Sequence, residues 1–175
     1  RYLMRSTPPP ARVVPDLPYL PMVRQMRDAG WVDLSNASGT LSLSGGTVSL
    51  LGTDDAHIFR DRMVAPASSW EEHGALRLGI THAPYTRVVS ALTSEGADLI
   101  LAGHTHGGQI GIPGMGAIIT NCDIARHYAK GLNRWEAPDG SQTWLHVSAG
   151  LGTSPHAKVR IATRPEASLI HVHPA

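Results

Sequence analysis

Residues Ala97–Ile110, ADLILAGHTHGGQI, constrain this chain more than any other stretch. Leu99, Ile100 and Leu101 form a short apolar run, of the kind that makes a strand buried on both faces of a parallel sheet. The run stops at Gly103, and His104, Thr105, His106, Gly107 and Gly108 follow at once. Two imidazoles are thereby placed just past the carboxyl end of a buried strand, where open α/β sheets bind ligands. Gly107 and Gly108 let the backbone turn sharply and leave room for close approach. Imidazole is the commonest metal-binding side chain. Two histidines at i and i+2 can bind one ion if extended, or one each of two ions if the backbone turns between them. A plainer reading is a polar loop with two solvated histidines. It suits an isolated His-x-His better than one set after a buried strand and among glycines.

Composition narrows the function classes. With 175 residues, 42% apolar and 17% charged, the chain is expected to be globular and long enough for one domain with a real core, residues 1–175, and its strand and helix patterns set it in the α/β class. The net charge of +1 carries no electrostatic footprint for nucleic acid. Ten histidines add weight to metal chemistry. Cys122 is the single cysteine, so no disulfide framework forms within the chain. There is no apolar run of about 18 residues to span a membrane, and no visible signal peptide. The chain opens on Arg1 and reads as part of a longer protein, cytoplasmic or membrane-associated through a preceding segment.

In order along the chain, residues 1–18 carry Pro8, Pro9, Pro10, Pro15 and Pro18 and read as a loop or linker. Pro21 suits the first turn of a short packing helix with Val23, Met26 and Ala29 on one face and Gly30 as its stop. Trp31–Leu34 is a candidate brief strand. Leu41 and Leu43, then Val48 and Leu50, alternate with polar residues, and Gly45-Gly46 lies between them. This predicts a β-hairpin with a two-residue turn. Its second strand runs into Gly52-Thr53-Asp54-Asp55-Ala56-His57. Asp54, Asp55 and His57 could face a site there, or Asp54 could simply bond its own backbone in a turn. Phe59–His73 reads as loop or short helix.

Leu76, Leu78 and Ile80 predict a strand that ends in Thr81-His82-Ala83-Pro84. Val88, Val89 and Leu92 give the next helix an apolar face, and Gly96 ends it. Strand, helix and the strand at Leu99 make a βαβ unit, whose parallel strands end on one edge. His82 therefore shares a rim with His104 and His106. Ala117–Thr120 is a candidate short strand. Arg126, His127, Tyr128 and Lys130 form a basic, partly aromatic patch, read as a solvated loop. A strand is predicted around Trp144–Ser148, followed by the loop Gly150–Ser154. Val159–Ile161 and Ser168–Val172 are expected as closing strands, with His146, His171 and His173 as sheet residues and not ligands.

The ordered set of motifs resembles the calcineurin-like metallophosphoesterases. It comprises GHTHGGQ, the upstream His82-Ala83-Pro84, Gly52-Thr53-Asp54-Asp55 with His57, Ser148 to Ser154, and Arg160 with Arg164-Pro165-Glu166. The whole set is similar to the bacterial YaeI/YkuE-like branch. The resemblance implies a sandwich of two sheets flanked by helices, with the metal site at strand ends. It implies two divalent ions (Mn, Fe or Zn) sharing a bridging aspartate and a bridging hydroxide. Carried over, His82 and His104 serve one ion and His106 the second. Asp55, His57, Gly107 and Gly108 are then candidates to face the substrate. That substrate is expected to be a small-molecule or lipid-linked phosphoester. Two cations offset the anionic charge of a phosphodiester and lower the pKa of a bound water, and neutral histidine ligands preserve the metals' positive charge.

The chain also departs from the family. The Asp-x-His motif, the bridging aspartate and the Gly-Asn-His-Asp/Glu motif are absent from these 175 residues. The expectation is therefore the carboxyl-terminal part of a metal-dependent phosphoesterase, inactive as an isolated chain. The alternative is a non-catalytic metal-binding or structural remnant. A zinc hydrolase of the amidohydrolase type also uses His-x-His, but places it before many further βα units, and too few residues follow His106 here.

Overall fold

The computed structural model describes residues 17–63, 70, 76–154 and 158–173. The elements in order are α1 (Leu20–Asp28), β1 (Ala37–Leu43), β2 (Gly46–Gly52), β3 (Leu76–Ile80), α2 (Thr86–Ser94), β4 (Leu99–Ala102), β5 (Gly111–Ile112), β6 (Gly116–Ala117), β7 (Gly131–Glu136) and β8 (Gln142–Val147). Short 3₁₀ turns lie at Ala56–Ile58, His106–Gly108 and Arg126–Tyr128. Six strands make one mixed sheet in the order β1-β2-β3-β4-β8-β7, and β5–β6 form a separate two-stranded ribbon. This is the expected α/β class. None of the described helices is long and apolar enough to cross a membrane.

The βαβ unit is as predicted. β3 and β4 are parallel neighbours, with Leu78 opposite Leu99 and Ile80 opposite Leu101. The sheet continues parallel on both sides, to β2 and to β8. Registers place Leu51, Gly79, Ile100 and Leu145 in one row across four strands. Val88, Val89 and Leu92 of α2 are buried in the same core cluster. Gly79 makes room for the helix: a Cβ there would meet Leu92 Cδ1 at 3.3 Å and Ile100 Cγ1 at 3.1 Å. The opposite face has its own apolar row, Leu50, Leu78, Leu99 and Trp144. Leu76, Leu78, Ile80 and Leu101 are only half-buried, and Trp144 is 43% exposed. That face is too apolar to be a natural water-facing sheet surface.

Several elements differ from the sequence reading. The hairpin is present, but its turn is Ser44-Gly45, because Leu43 pairs with Gly46 and draws that glycine into β2. Trp31–Leu34 is not a strand. The Leu34 carbonyl oxygen accepts from the Ala37 N–H at 3.4 Å and packs against Gly52, where a Cβ would collide with it, so the segment closes a turn into β1. Helix α1 forms but buries none of its residues. Its Val23 and Met26 line a groove together with Trp31, Val32 and Leu34.

The expected strand at Ala117–Thr120 stops at Ala117, after which Thr120 Oγ1 turns inward to the carbonyls of Cys122 and Ile124. Val159–Ile161 and Ser168–Val172 are not ladder strands; Ile161 makes one isolated bridge to Ile110. The sheet edge is instead taken by β7, antiparallel to β8. His146 is a buried sheet residue as expected, whereas His171 and His173 lie outside any strand and are exposed. Phe59–Met63 is irregular chain; residues 64–69 and 71–75 of that stretch, and residues 1–16 of the expected linker, lie outside the described residues.

Candidate metal centre

Three parallel strands deliver histidines to one rim. Backbone bonds stitch their exits together: Thr53 N–H to Ile80 O at 3.1 Å, Thr81 N–H to Leu101 O at 3.1 Å, and Gly103 N–H to His82 O at 3.0 Å. Thr53 and Thr81 also join through their hydroxyls at 2.9 Å. His82 thus leaves β3 beside Gly103. His104 then folds back over it in the left-handed region, at φ 65°.

His104 Nδ1 lies 3.2 Å from His82 Nε2, with the rings edge-on at 75°. His57, from the 3₁₀ turn after β2, sets its ring 4.8 Å from that of His104. Its Nδ1 meets the Tyr85 hydroxyl at 2.8 Å. The far nitrogen of His104, Nε2, is 3.3 Å from both the carbonyl oxygen and the side-chain amide nitrogen of Asn121. Asn121 can therefore serve either tautomer. When Nε2–H donates to its carbonyl, Nδ1 keeps a lone pair pointed towards His82. A backbone carbonyl on the far nitrogen is the usual support of a metal-binding histidine.

Burial lowers the pKa of His104 to about 4, with the neighbouring His82 and His57 adding to the effect. The ring is neutral at pH 7 and able to act as an electron-pair donor. The folded value lies below the ordinary value of about 6.5, so the unfolded chain binds this proton more tightly. Protonating His104 therefore costs the folded protein stability: nothing is lost well above about pH 6.5, and the loss grows as pH falls towards 4. Discounted for the ring's residual exposure, the metal-free protein should lose about 1–2 kcal/mol between about pH 7.5 and 4.5 through this group. Urea unfolding at both pH values, with His104→Ala alongside, checks this. A pH dependence unchanged in the variant would contradict it.

The remaining candidates are placed differently. Asp54 accepts from the Asp55 N–H at 2.6 Å, so the turn reading of Asp54 fits its geometry. Asp55 accepts from His57 N–H at 2.8 Å and caps the turn that presents His57. Gly107 and Gly108 are buried, and what stands against them is protein: Thr163 and Ala149 for the first, Ala117 and Ile119 for the second. His106 is half-buried, beside Gly152 and Arg160. Its pKa is lowered by burial first and then by the Arg160 charge. Among the described residues the ring contacts join His57, His104 and His82 and leave out His106. No group of three or more His, Cys, Asp or Glu among the described residues could hold a metal ion by itself.

Asn121, Tyr85 and the extent of Arg160's role were missed by sequence reasoning. Asn121 lies at φ 58° in a turn-rich segment, a position where asparagine is common for conformational reasons alone. Nothing in its sequence surroundings points to His104.

Comparison with known proteins gives relatives by sequence. The chain is 27% identical over 145 residues to the "Uncharacterized metallophosphoesterase YkoQ" of Bacillus subtilis (strain 168), covering 82% of this chain and 50% of that protein. It is 27% identical over 147 residues to "Phosphodiesterase YaeI" of Escherichia coli (strain K12), covering 84% of this chain and 49% of that protein. It is 33% identical over 81 residues to the "Uncharacterized protein YpbG" of B. subtilis (strain 168), covering 46% and 30% respectively. No protein-family model and no solved structure matches. The chain spans about half the length of the first two of these curated relatives. The relatives named metallophosphoesterase and phosphodiesterase support placing this chain in the calcineurin-like metallophosphoesterase family.

Proposed function

We propose that these 175 residues are the carboxyl-terminal part of a metal-dependent phosphoesterase. In this reading His82 and His104 hold one divalent ion and His106 serves a second. The observation that carries it is the 3.2 Å separation of His82 Nε2 and His104 Nδ1. Two nitrogens each about 2.0–2.1 Å from one zinc-like ion and set tetrahedrally around it lie about 3.3–3.4 Å apart. The pair fits one ion with little rearrangement, and both the neutrality of His104 and its Asn121 support suit a ligand. Mn, Fe and Zn all accept such donors.

A divalent ion bound there supplies Lewis-acid polarisation of a phosphoryl oxygen and lowers the pKa of water. The chain's own residues do the positioning. Asn121 fixes His104 from behind, and Tyr85 anchors His57 at Nδ1, with the His57 ring packed on His104. The substrate class is a small-molecule or lipid-linked phosphoester. Residues outside these 175 supply the remaining ligands, bridging carboxylate included, and cover the apolar sheet face of Leu78, Ile80, Leu101 and Trp144. The incomplete ligand set supports the companion reading that the isolated chain is inactive.

The test is hydrolysis of bis-p-nitrophenyl phosphate by the longer protein and by the 175-residue chain, before and after chelation and with added manganese. The longer protein should lose turnover on chelation and regain it with manganese, and the short chain should stay at background. A longer protein indifferent to chelation, or a short chain that matches it, would overturn the proposal.

A further inference from the structure

The turn that carries His106 is built under strain. His104, His106 and Gln109 are non-glycine residues at φ 65°, 50° and 46°, and Gly107 and Gly108 between them sit at 64° and 80°. Such conformations persist only where the surroundings over-determine them.

The group that holds this turn lies more than fifty residues downstream. Arg160 Nε donates to Gly152 O at 2.9 Å. Its Nη2 donates to Ala149 O at 2.6 Å, Gly150 O at 3.0 Å and Gly152 O at 2.5 Å. Its Nη1 reaches His106 O at 3.4 Å and Arg164 O at 3.3 Å. No carboxylate is among these partners: the guanidinium is spent on backbone carbonyls. Neighbouring bonds run the same way. Ile161 N–H donates to Gln109 O at 3.0 Å and Gly111 N–H to Ile161 O at 2.8 Å. The Ser154 N–H donates to Gln109 Oε1 at 2.8 Å, and Glu166 N–H to Gly150 O at 3.0 Å. The segment around Arg160 thereby ties the loop after β8 to the turn after β4, the two loops that leave adjacent parallel strands on the histidine rim.

We infer that Arg160 is a positioning residue: its guanidinium clasps the Ala149–Gly152 loop to the His106 turn and so fixes where the His106 ring stands. The inference rests on the proposed function only for its catalytic consequence. Arginine is required for its shape. Five N–H donors in a rigid plane can span carbonyls from several directions, whereas a lysine ammonium offers three donors from one point. Arg160→Lys keeps the charge and loses the span.

The experiment compares Arg160→Lys with the unaltered longer protein in two arms. Amide hydrogen exchange on the folded, metal-free protein should show faster exchange confined to the amides of residues 106–111 and 148–154. Unchanged exchange there would overturn the clasp, even in a protein that never hydrolyses a phosphodiester. In the second arm, kcat for bis-p-nitrophenyl phosphate should fall about 10–100-fold, the usual cost of disturbing a ligand's support. KM should change by less than about threefold, and half-maximal activation should need more manganese. Loosened loops with kcat and manganese dependence unchanged would show a merely structural tie and overturn the positioning role. Absence of metal-dependent turnover in the unaltered protein would instead defeat the proposed function, and the exchange arm would still decide the clasp.

Discussion

Changing His104 to alanine in the longer protein is expected to lower metal-dependent phosphodiester turnover by at least about a hundredfold. Disturbing a group that merely supports a metal ligand costs about 10–100-fold, and His104 is itself the proposed ligand. It is also the hub of the rim: His82 lies 3.2 Å from its Nδ1, the His57 ring 4.8 Å from its ring, and Asn121 3.3 Å from its Nε2. Removing it strips all three of their common partner. The fold should survive, because the ring is half-buried and not part of the apolar cluster. Circular dichroism and thermal unfolding near neutral pH should therefore differ little from the parent. Excess manganese should not restore turnover. A variant that keeps more than a tenth of parental activity would contradict the assignment.

Gly108→Ala should produce the largest loss of stability. Gly108 sits at φ 80°, where an alanine is strained by about 1–2 kcal/mol. Its Cβ would stand 2.2 Å from Ala117 Cβ and 2.9 Å from Ile119 O. Neither neighbour is the tip of a flexible side chain, so the β5–β6 ribbon or the histidine turn must move. The expected cost is about 4 kcal/mol or more, in the range reserved for overpacking combined with backbone strain. Gly114→Ala separates the two contributions. Gly114 has the same φ of 80° but nothing within 4 Å of the added Cβ, so only the conformational cost of about 1–2 kcal/mol applies. Urea unfolding of both variants measures the difference. Equal destabilisation would mean that the close approach of Gly108 to the ribbon is not present.

Much of the site's frame was legible because a βαβ unit has a strong pattern. The alternation at Leu76–Ile80, the apolar run at Leu99–Leu101 and the helix between them led directly to parallel strands with His82 and His104 on one rim. The edge of the sheet was not legible. β7, GLNRWE, has no alternating apolar residues to mark it in the sequence, and its pairing with β8 makes it a strand. Val159–Ile161 looked like a strand for its β-branched residues, but its backbone is engaged in a bridge to Ile110 beside the Arg160 clasp. Arg160 and the Ser148–Ser154 loop stand out in the sequence as parts of the resemblance, but the bonds between them do not, since the partners are backbone carbonyls, which every residue possesses. Asn121 escaped for a similar reason, being joined to His104 across a turn with no spacing rule. His57 reads from sequence as part of a polar turn that either faces a site or closes on itself, and the contact of its ring with His104 joins residues far apart in the chain that no spacing rule connects.

The most direct measurement is an anomalous-difference map, recorded at the metal edge, from crystals of the longer protein loaded with zinc or manganese. A shared site predicts a peak about 2.0–2.2 Å from both His82 Nε2 and His104 Nδ1. A map with no peak between these two nitrogens, or with metal bound at His106 alone, would contradict it.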